Sequence, residues 1–274
     1  MEKLLLNFSL ILVLVYFYKI TRHGLHIWQL ENYYLDRYVA WTKRYLKKVI
    51  NIKAIILLLI PIIMFLINQS WSIMTGYVLE ILVLMYLIVS TKKQKEKKPF
   101  VVTARIKRVY TTYLILFALA AVLANLLNHT VVLSVINVCI IFAYYFVYVV
   151  GTINKPIEGS IRKGFCRKAK HKLKEIPGLK VVGITGSYGK TSTKNILHDI
   201  LNIKYSVFKT PANFNTPFGL MITINEHLDK YNDYFIAEMG ACKQGEIKEL
   251  CDLVSPKYGI ITRIGLAHLV TFGS

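Results

Sequence analysis

Long uncharged stretches alternate with short basic ones over the first 154 positions of the chain, and the pattern changes character only near residue 180. Residues 4–18 carry no charge before Lys19. Residues 54–91 carry one, Glu80, and are long enough for two helices at ~20 residues each, with Asn68, Gln69 and Ser70 as the turn. Residues 109–154 hold no Asp, Glu, Lys or Arg, and Asn128, His129 and Thr130 divide them. The pattern predicts an α-helical transmembrane bundle of five spans. Between the first two, Ile27, Leu30, Tyr34, Tyr38, Trp41, Tyr45 and Val49 recur at three- and four-residue spacing with basic residues opposite. That spacing predicts a helix lying along the membrane interface. Glu80, inside a span, is expected to pair with a polar group of the bundle.

From residue 180 the periods shorten. Residues 180–185 (Lys-Val-Val-Gly-Ile-Thr) predict a buried strand, and residues 234–238 and 258–264 predict two more. Behind the first strand, Ile196 and Ile200, and Leu197 and Leu201, are spaced four apart, which is helical. Strands separated by helices predict part of an α/β domain with a parallel sheet. The expected organisation is a membrane domain over 1–154, a basic cytoplasmic linker or helix over 155–179, and the α/β piece over 180–274.

Composition narrows the class. The chain is 54% hydrophobic with mean hydropathy +0.44, too apolar for a disordered chain or an ordinary soluble domain, yet its net charge is +20. Segregation reconciles the two: residues 151–180 hold 9 basic and 2 acidic side chains, whereas 181–274 hold 9 and 8. The basic stretches 21–53 and 91–108, and the collar after 154, are expected on the cytoplasmic side. The turns near 69 and 129 lack Lys and Arg and should face outward. Five spans then put the N-terminus outside and the C-terminal piece inside, a multi-pass cell-membrane protein. No small-x-small cleavage site follows residue 18, so the first span reads as a retained anchor. The basic runs sit beside apolar spans, where topology and anionic lipid explain them, so the bilayer and not nucleic acid is the expected partner. Cys139, Cys166, Cys242 and Cys251 form no paired CxxC pattern, which argues against a zinc site.

The chemistry concentrates after the first strand, at Gly186-Ser187-Tyr188-Gly189-Lys190-Thr191-Ser192. A strand, a glycine turn, Lys-Thr and a helix is the context a phosphate-binding loop needs. Backbone amides and the helix N-terminus face the anion, and the lysine adds a point charge. Thr191 would place its hydroxyl on magnesium. The general spacing GxxxxGK calls for glycine at 184, where this chain has Ile184.

That departure fits another pattern. Residues 183–194 resemble the ATP loop of the Mur ligase family, TGxxGKT. Three later stretches agree in order: 210–219 (Thr-Pro-Ala-Asn-Phe-Asn-Thr-Pro-Phe-Gly), 237–247 with Gln244 where proline is usual, and 262–274 with Ala267-His268-Leu269. The middle one resembles the signature of the branch that adds D-alanyl-D-alanine. The resemblance covers about residues 180–274. It implies an ATP-dependent peptide ligase of cell-wall precursor synthesis that acts through an acyl phosphate. ATP and Mg2+ are the implied cofactors, and a UDP-muramoyl-peptide and D-Ala-D-Ala the implied substrates.

By the same resemblance, Lys190 contacts the outer phosphates within a nucleotide loop of residues 186–192. Thr191 and Glu238 hold one magnesium, and His268 helps hold a second. Thr210, Asn213 and Asn215 meet the substrate, although Thr216 stands where a second asparagine is common. Glu238 alone would read as a solvated strand-end carboxylate and His268 as a polar loop residue; their order after the loop favours the metal role. His171 and His198 read as surface residues, and Tyr188 as a residue that shapes the loop. The family's central domain runs on past the stretch that ends at Ser274. The chain therefore reads as a truncated ligase, not expected to complete a cycle alone. Two rivals remain: a membrane-bound P-loop ATPase of other function, which should carry an Asp where Glu238 stands, and a non-catalytic nucleotide-binding remnant.

Overall fold

The computed structural model describes residues 1–67, 69–91, 98–212, 214–242 and 244–265. They divide into two compact units, Met1–Pro156 and Ile157–Ser274.

The first unit is helical: α1 (Glu2–Leu30), α2 (Leu35–Arg44), α3 (Leu46–Val49), α4 (Ile55–Ile67), α5 (Ser70–Ser90), α6 (Ala104–Leu126), α7 (His129–Ile141) and the start of α8 (Ala143–Lys174). Three helices, α1, Trp71–Ser90 within α5, and α6, are each long and apolar enough to cross a membrane. The α7–α8 pair passes the same test jointly but is bent by 95° at its junction. The described residues thus hold three or four elements of spanning length where the sequence pattern predicts five. The reason is length. The 13 residues of α4, like the 13 of α7, rise about 20 Å, short of a ~30 Å hydrocarbon layer.

The expected interfacial helix also differs. Ile27 and Leu30 belong to α1, which continues past Lys19 and Arg22, and the chain breaks at Asn32 and Tyr33, both in the left-handed region. Tyr38 of α2 is fully buried and donates to the Tyr144 carbonyl at 2.8 Å, so this face packs on protein. Glu80 does pair inside the bundle. Its Oε1 accepts from Asn137 Nδ2 at 3.0 Å, and the same amide donates to the Leu57 carbonyl at 2.8 Å, which joins α4, α5 and α7.

The second unit is built on a four-stranded sheet of β1 (Lys180–Thr185), β2 (Val207–Lys209), β3 (Tyr234–Glu238) and β4 (Tyr258–Ile261). All neighbours are parallel, in the order β2-β3-β1-β4. Alternation sets the two faces. Val181, Phe235 and Ala237 pack with α10 (Pro217–His227), α11 (Glu246–Val254) and the C-terminal part of α8. Val182, Ile184 and Ile236 point the other way, onto Leu197 and Leu201 of α9 (Lys190–Leu201). With both faces of β1 and β3 covered, their sequences are continuous apolar runs. Of the isoleucine pair and the leucine pair that predict α9, only the leucines face the sheet; Ile196 and Ile200 are exposed. The stretch expected as a linker or helix is, as far as Lys174, the second half of α8.

Candidate functional site

Strand order fixes where a ligand can sit. The chain leaves β1 through α9 towards β2, and leaves β3 through α11 towards β4 on the far side of β1. The connections diverge between the carboxyl ends of β1 and β3, the position where open parallel sheets bind ligands. Two of the sequence-predicted residues meet there: Thr191, in the first turn of α9, donates its hydroxyl hydrogen to Glu238 Oε2 at 3.1 Å. Asn215 Nδ2 donates to Glu238 Oε1 at 3.2 Å, and the Thr210 hydroxyl accepts from the Glu238 amide at 3.1 Å. Thr210, Asn215, Thr191 and Glu238 are therefore one hydrogen-bonded group. Asn213 and His268 lie outside the described residues.

The loop between β1 and α9 turns tightly and is held from one side. Gly189 caps α9 at φ +84° and Gly186 sits at φ +139°, a backbone that side-chain-bearing residues rarely adopt. The Ser187 amide donates to the Arg263 carbonyl at 2.8 Å, and the Ser187 hydroxyl bonds both backbone groups of Gly265 at 3.0 Å. The Thr262 hydroxyl donates to the Tyr188 carbonyl at 2.7 Å. Lys190 curls its ammonium back over the turn, 2.5 Å from the Gly186 carbonyl. Tyr188 is more than half exposed and its backbone bridges to Arg263, so it shapes this clasp.

Sequence reasoning missed two residues. Thr262 closes the loop, and any Cβ on Gly186 would collide with its hydroxyl. Lys194 is fully buried, and its ammonium lies 2.9 Å from Glu238 Oε2 and 2.9 Å from the Ala212 carbonyl. Its spacing of four from Lys190 was the available signal, since residues four apart share a helix face. Beside it, Thr191, Asn195, His198, Thr210, Pro211 and Ala212 line a cleft of about 490 Å3. His198 is half-buried and engaged by Asp199 at 2.9 Å; His171 is exposed, as expected. All four cysteines are free.

The donor set for a cation is oxygen: a hydroxyl and a carboxylate already in contact. Hard oxygen donors fit Mg2+, with the remaining ligands from phosphate and water. Among the described residues no cluster of three or more His, Cys, Asp or Glu is placed to hold a metal ion.

Gly186→Ala should test the clasp. Left-handed strain and the Thr262 collision together should weaken it by about 1–3 kcal/mol. Hydrogen exchange at the Ser187 and Thr262 amides should quicken accordingly, and unchanged protection would show that the turn tolerates a side chain.

The Mur ligase middle domain matches residues 184–274. The UDP-N-acetylmuramoyl-tripeptide–D-alanyl-D-alanine ligase of Bacillus subtilis (strain 168) is 41% identical over 106 residues, 39% of this chain and 23% of that protein. Its namesake from Rickettsia prowazekii (strain Madrid E) is 42% identical over 95 residues, 35% of this chain and 21% of that one. Among solved structures, MurF from Acinetobacter baumannii is 35% identical over 41% of this chain and 25% of its own, with a TM-score of 0.40. The MurF ligase of Thermotoga maritima in complex with ADP is 40% identical over 39% of this chain and 25% of its own, with a TM-score of 0.38. The chain spans about a quarter of the length of these relatives. Over residues 184–274 the chain is thus similar to the Mur ligase middle domain, and the match covers about a third of its length.

Proposed function

We propose that this protein is a membrane-held, ATP-dependent amide ligase of peptidoglycan precursor synthesis, joining D-Ala-D-Ala to a UDP-muramoyl-peptide. The observation that carries the reading is the Thr191–Glu238 contact at the fork between β1 and β3, beside the Lys190 loop. The names of the relatives support the substrate assignment.

In this reading the 186–192 turn is a phosphate loop. Its amides and Lys190 bind the outer phosphates of ATP, with the Lys190 ammonium leaving its own loop carbonyl for the anion. Thr191 and Glu238 would hold Mg2+, with His268 as a further ligand. When bound there, Mg2+ would neutralise charge on the transferring phosphoryl group. The γ-phosphoryl passes to the substrate carboxylate and ADP leaves. The incoming amine then attacks the acyl carbon, and inorganic phosphate departs with the C–O electron pair. Thr210, which lines the cleft beside α9, orients the carboxylate together with Asn213 and Asn215, and exclusion of water protects the acyl phosphate from hydrolysis. The exposed apolar side chains of the first unit, such as Leu59, Leu66, Leu82, Val89, Ile115 and Val122, support a lipid-facing surface.

Washed native membranes carrying the protein at its full native length, given ATP, UDP-muramoyl-tripeptide and D-Ala-D-Ala, should form the pentapeptide product and release phosphate. Membranes lacking the protein should form none. Phosphate release without amide product would favour the ATPase reading. For the membrane arrangement, a reporter fused after Asn154 should be active only as a cytoplasmic fusion; activity on the outer side would reject the proposed orientation.

A further inference from the structure

Lys194 has no role in a phosphate loop, yet among the described residues it is the only fully buried lysine. Its side chain and that of Glu238 are 2% and 3% exposed, and their charges meet at 2.9 Å. Every oxygen of the carboxylate is engaged: Oε2 by Lys194 and Thr191, and Oε1 by Asn215. The same ammonium holds the Ala212 carbonyl, tying the 210–215 segment to the carboxylate.

We propose that Lys194 is a positioning residue: its ammonium is the resident counter-ion of Glu238, and it reserves that carboxylate for a divalent cation that arrives on a nucleotide. The proposal rests on the nucleotide and magnesium reading above. The buried pair is neutral as built. A free divalent cation joining Glu238 would leave two net positive charges beside an ammonium bound to the same oxygen, in a setting poorly screened by water. A cation carried by ATP brings the negative charge of the phosphates with it and meets no such penalty. Removing the lysine's charge leaves Glu238 short of a cation, and a free metal then becomes a suitable partner.

The test titrates Mn2+ alone, read by loss of the free-ion EPR signal, against the full chain in detergent. The wild-type protein should bind Mn2+ with a non-hydrolysable ATP analogue but not without it. Lys194→Gln, which keeps a hydrogen-bond donor and loses the charge, should bind Mn2+ alone at least about tenfold more tightly than wild type. Adding Glu238→Gln to that variant should abolish the new binding. A lysine that merely held the fold together would alter stability without creating a metal site. Equal Mn2+ binding by wild type and Lys194→Gln, with nucleotide binding intact, would overturn the proposal alone. Failure of the wild type to bind the analogue would remove the nucleotide reading and this inference with it. If Lys194→Gln does not fold, the wild type decides: Mn2+ binding without nucleotide that Glu238→Gln abolishes overturns the proposal, and its absence upholds it.

Discussion

Replacing Glu238 by alanine is expected to destabilise the α/β unit by about 3–5 kcal/mol, the cost of leaving a buried ammonium without its counter-charge. Lys194 would keep only the Ala212 carbonyl, while Thr191 and Asn215 would each lose the acceptor they now share. The loss is concentrated where three elements meet, so the amides of β3 and of the 210–215 segment should exchange fastest. Glu238→Gln keeps the shape and one accepting oxygen but loses the charge and the second acceptor, and should fall between wild type and alanine. The double variant Glu238→Leu/Lys194→Met removes both charges and replaces them with apolar groups of similar volume. It should recover most of the stability, because a buried ion pair can be exchanged for hydrophobic packing at little net cost. Hydrogen exchange on the full chain measures all three. A single alanine variant as protected as wild type would mean that water reaches Lys194 and solvates it.

Much of the α/β unit was legible because its signals are local. β1 and β3 are apolar runs with sharp ends, and α9 follows a glycine turn, so residue type alone places them. The Thr191–Glu238 meeting was legible only through topology, since it joins residues 47 apart and depends on β3 lying beside β1. Lys194 escaped for the opposite reason. A lysine in the middle of a polar helix start reads as solvated, and the carboxylate that neutralises it lies on another strand. Thr262 escaped because its work is to accept the close approach of Gly186, a fact about space and not about residue class. In the helical unit, hydropathy located the apolar segments but not their lengths as helices. Nothing in composition shows that α1 continues through Lys19 to Leu30, or that α7 and α8 meet at 95°.

Lys190→Ala is expected to weaken ATP binding by roughly 10- to 150-fold, from the 1.5–3 kcal/mol typical of a hydrogen bond to a charged group. The same variant should leave the fold nearly unchanged. The ammonium of Lys190 is half-buried and bonds carbonyls of its own turn, Gly186 at 2.5 Å and Ser187 at 3.5 Å, so its removal strands no buried partner elsewhere. Cys242→Ala should alter neither binding nor stability, since its thiol is free. Calorimetry with a non-hydrolysable ATP analogue checks the affinity, and thermal unfolding of the same samples checks the fold. Two lysines one helical turn apart thus carry separable consequences. Loss of the charge at 190 should appear in nucleotide affinity, whereas loss at 194 should appear in stability and in the entry of free metal. Unchanged nucleotide affinity in Lys190→Ala would assign the loop a structural role, and the phosphate reading of the turn would fall with it.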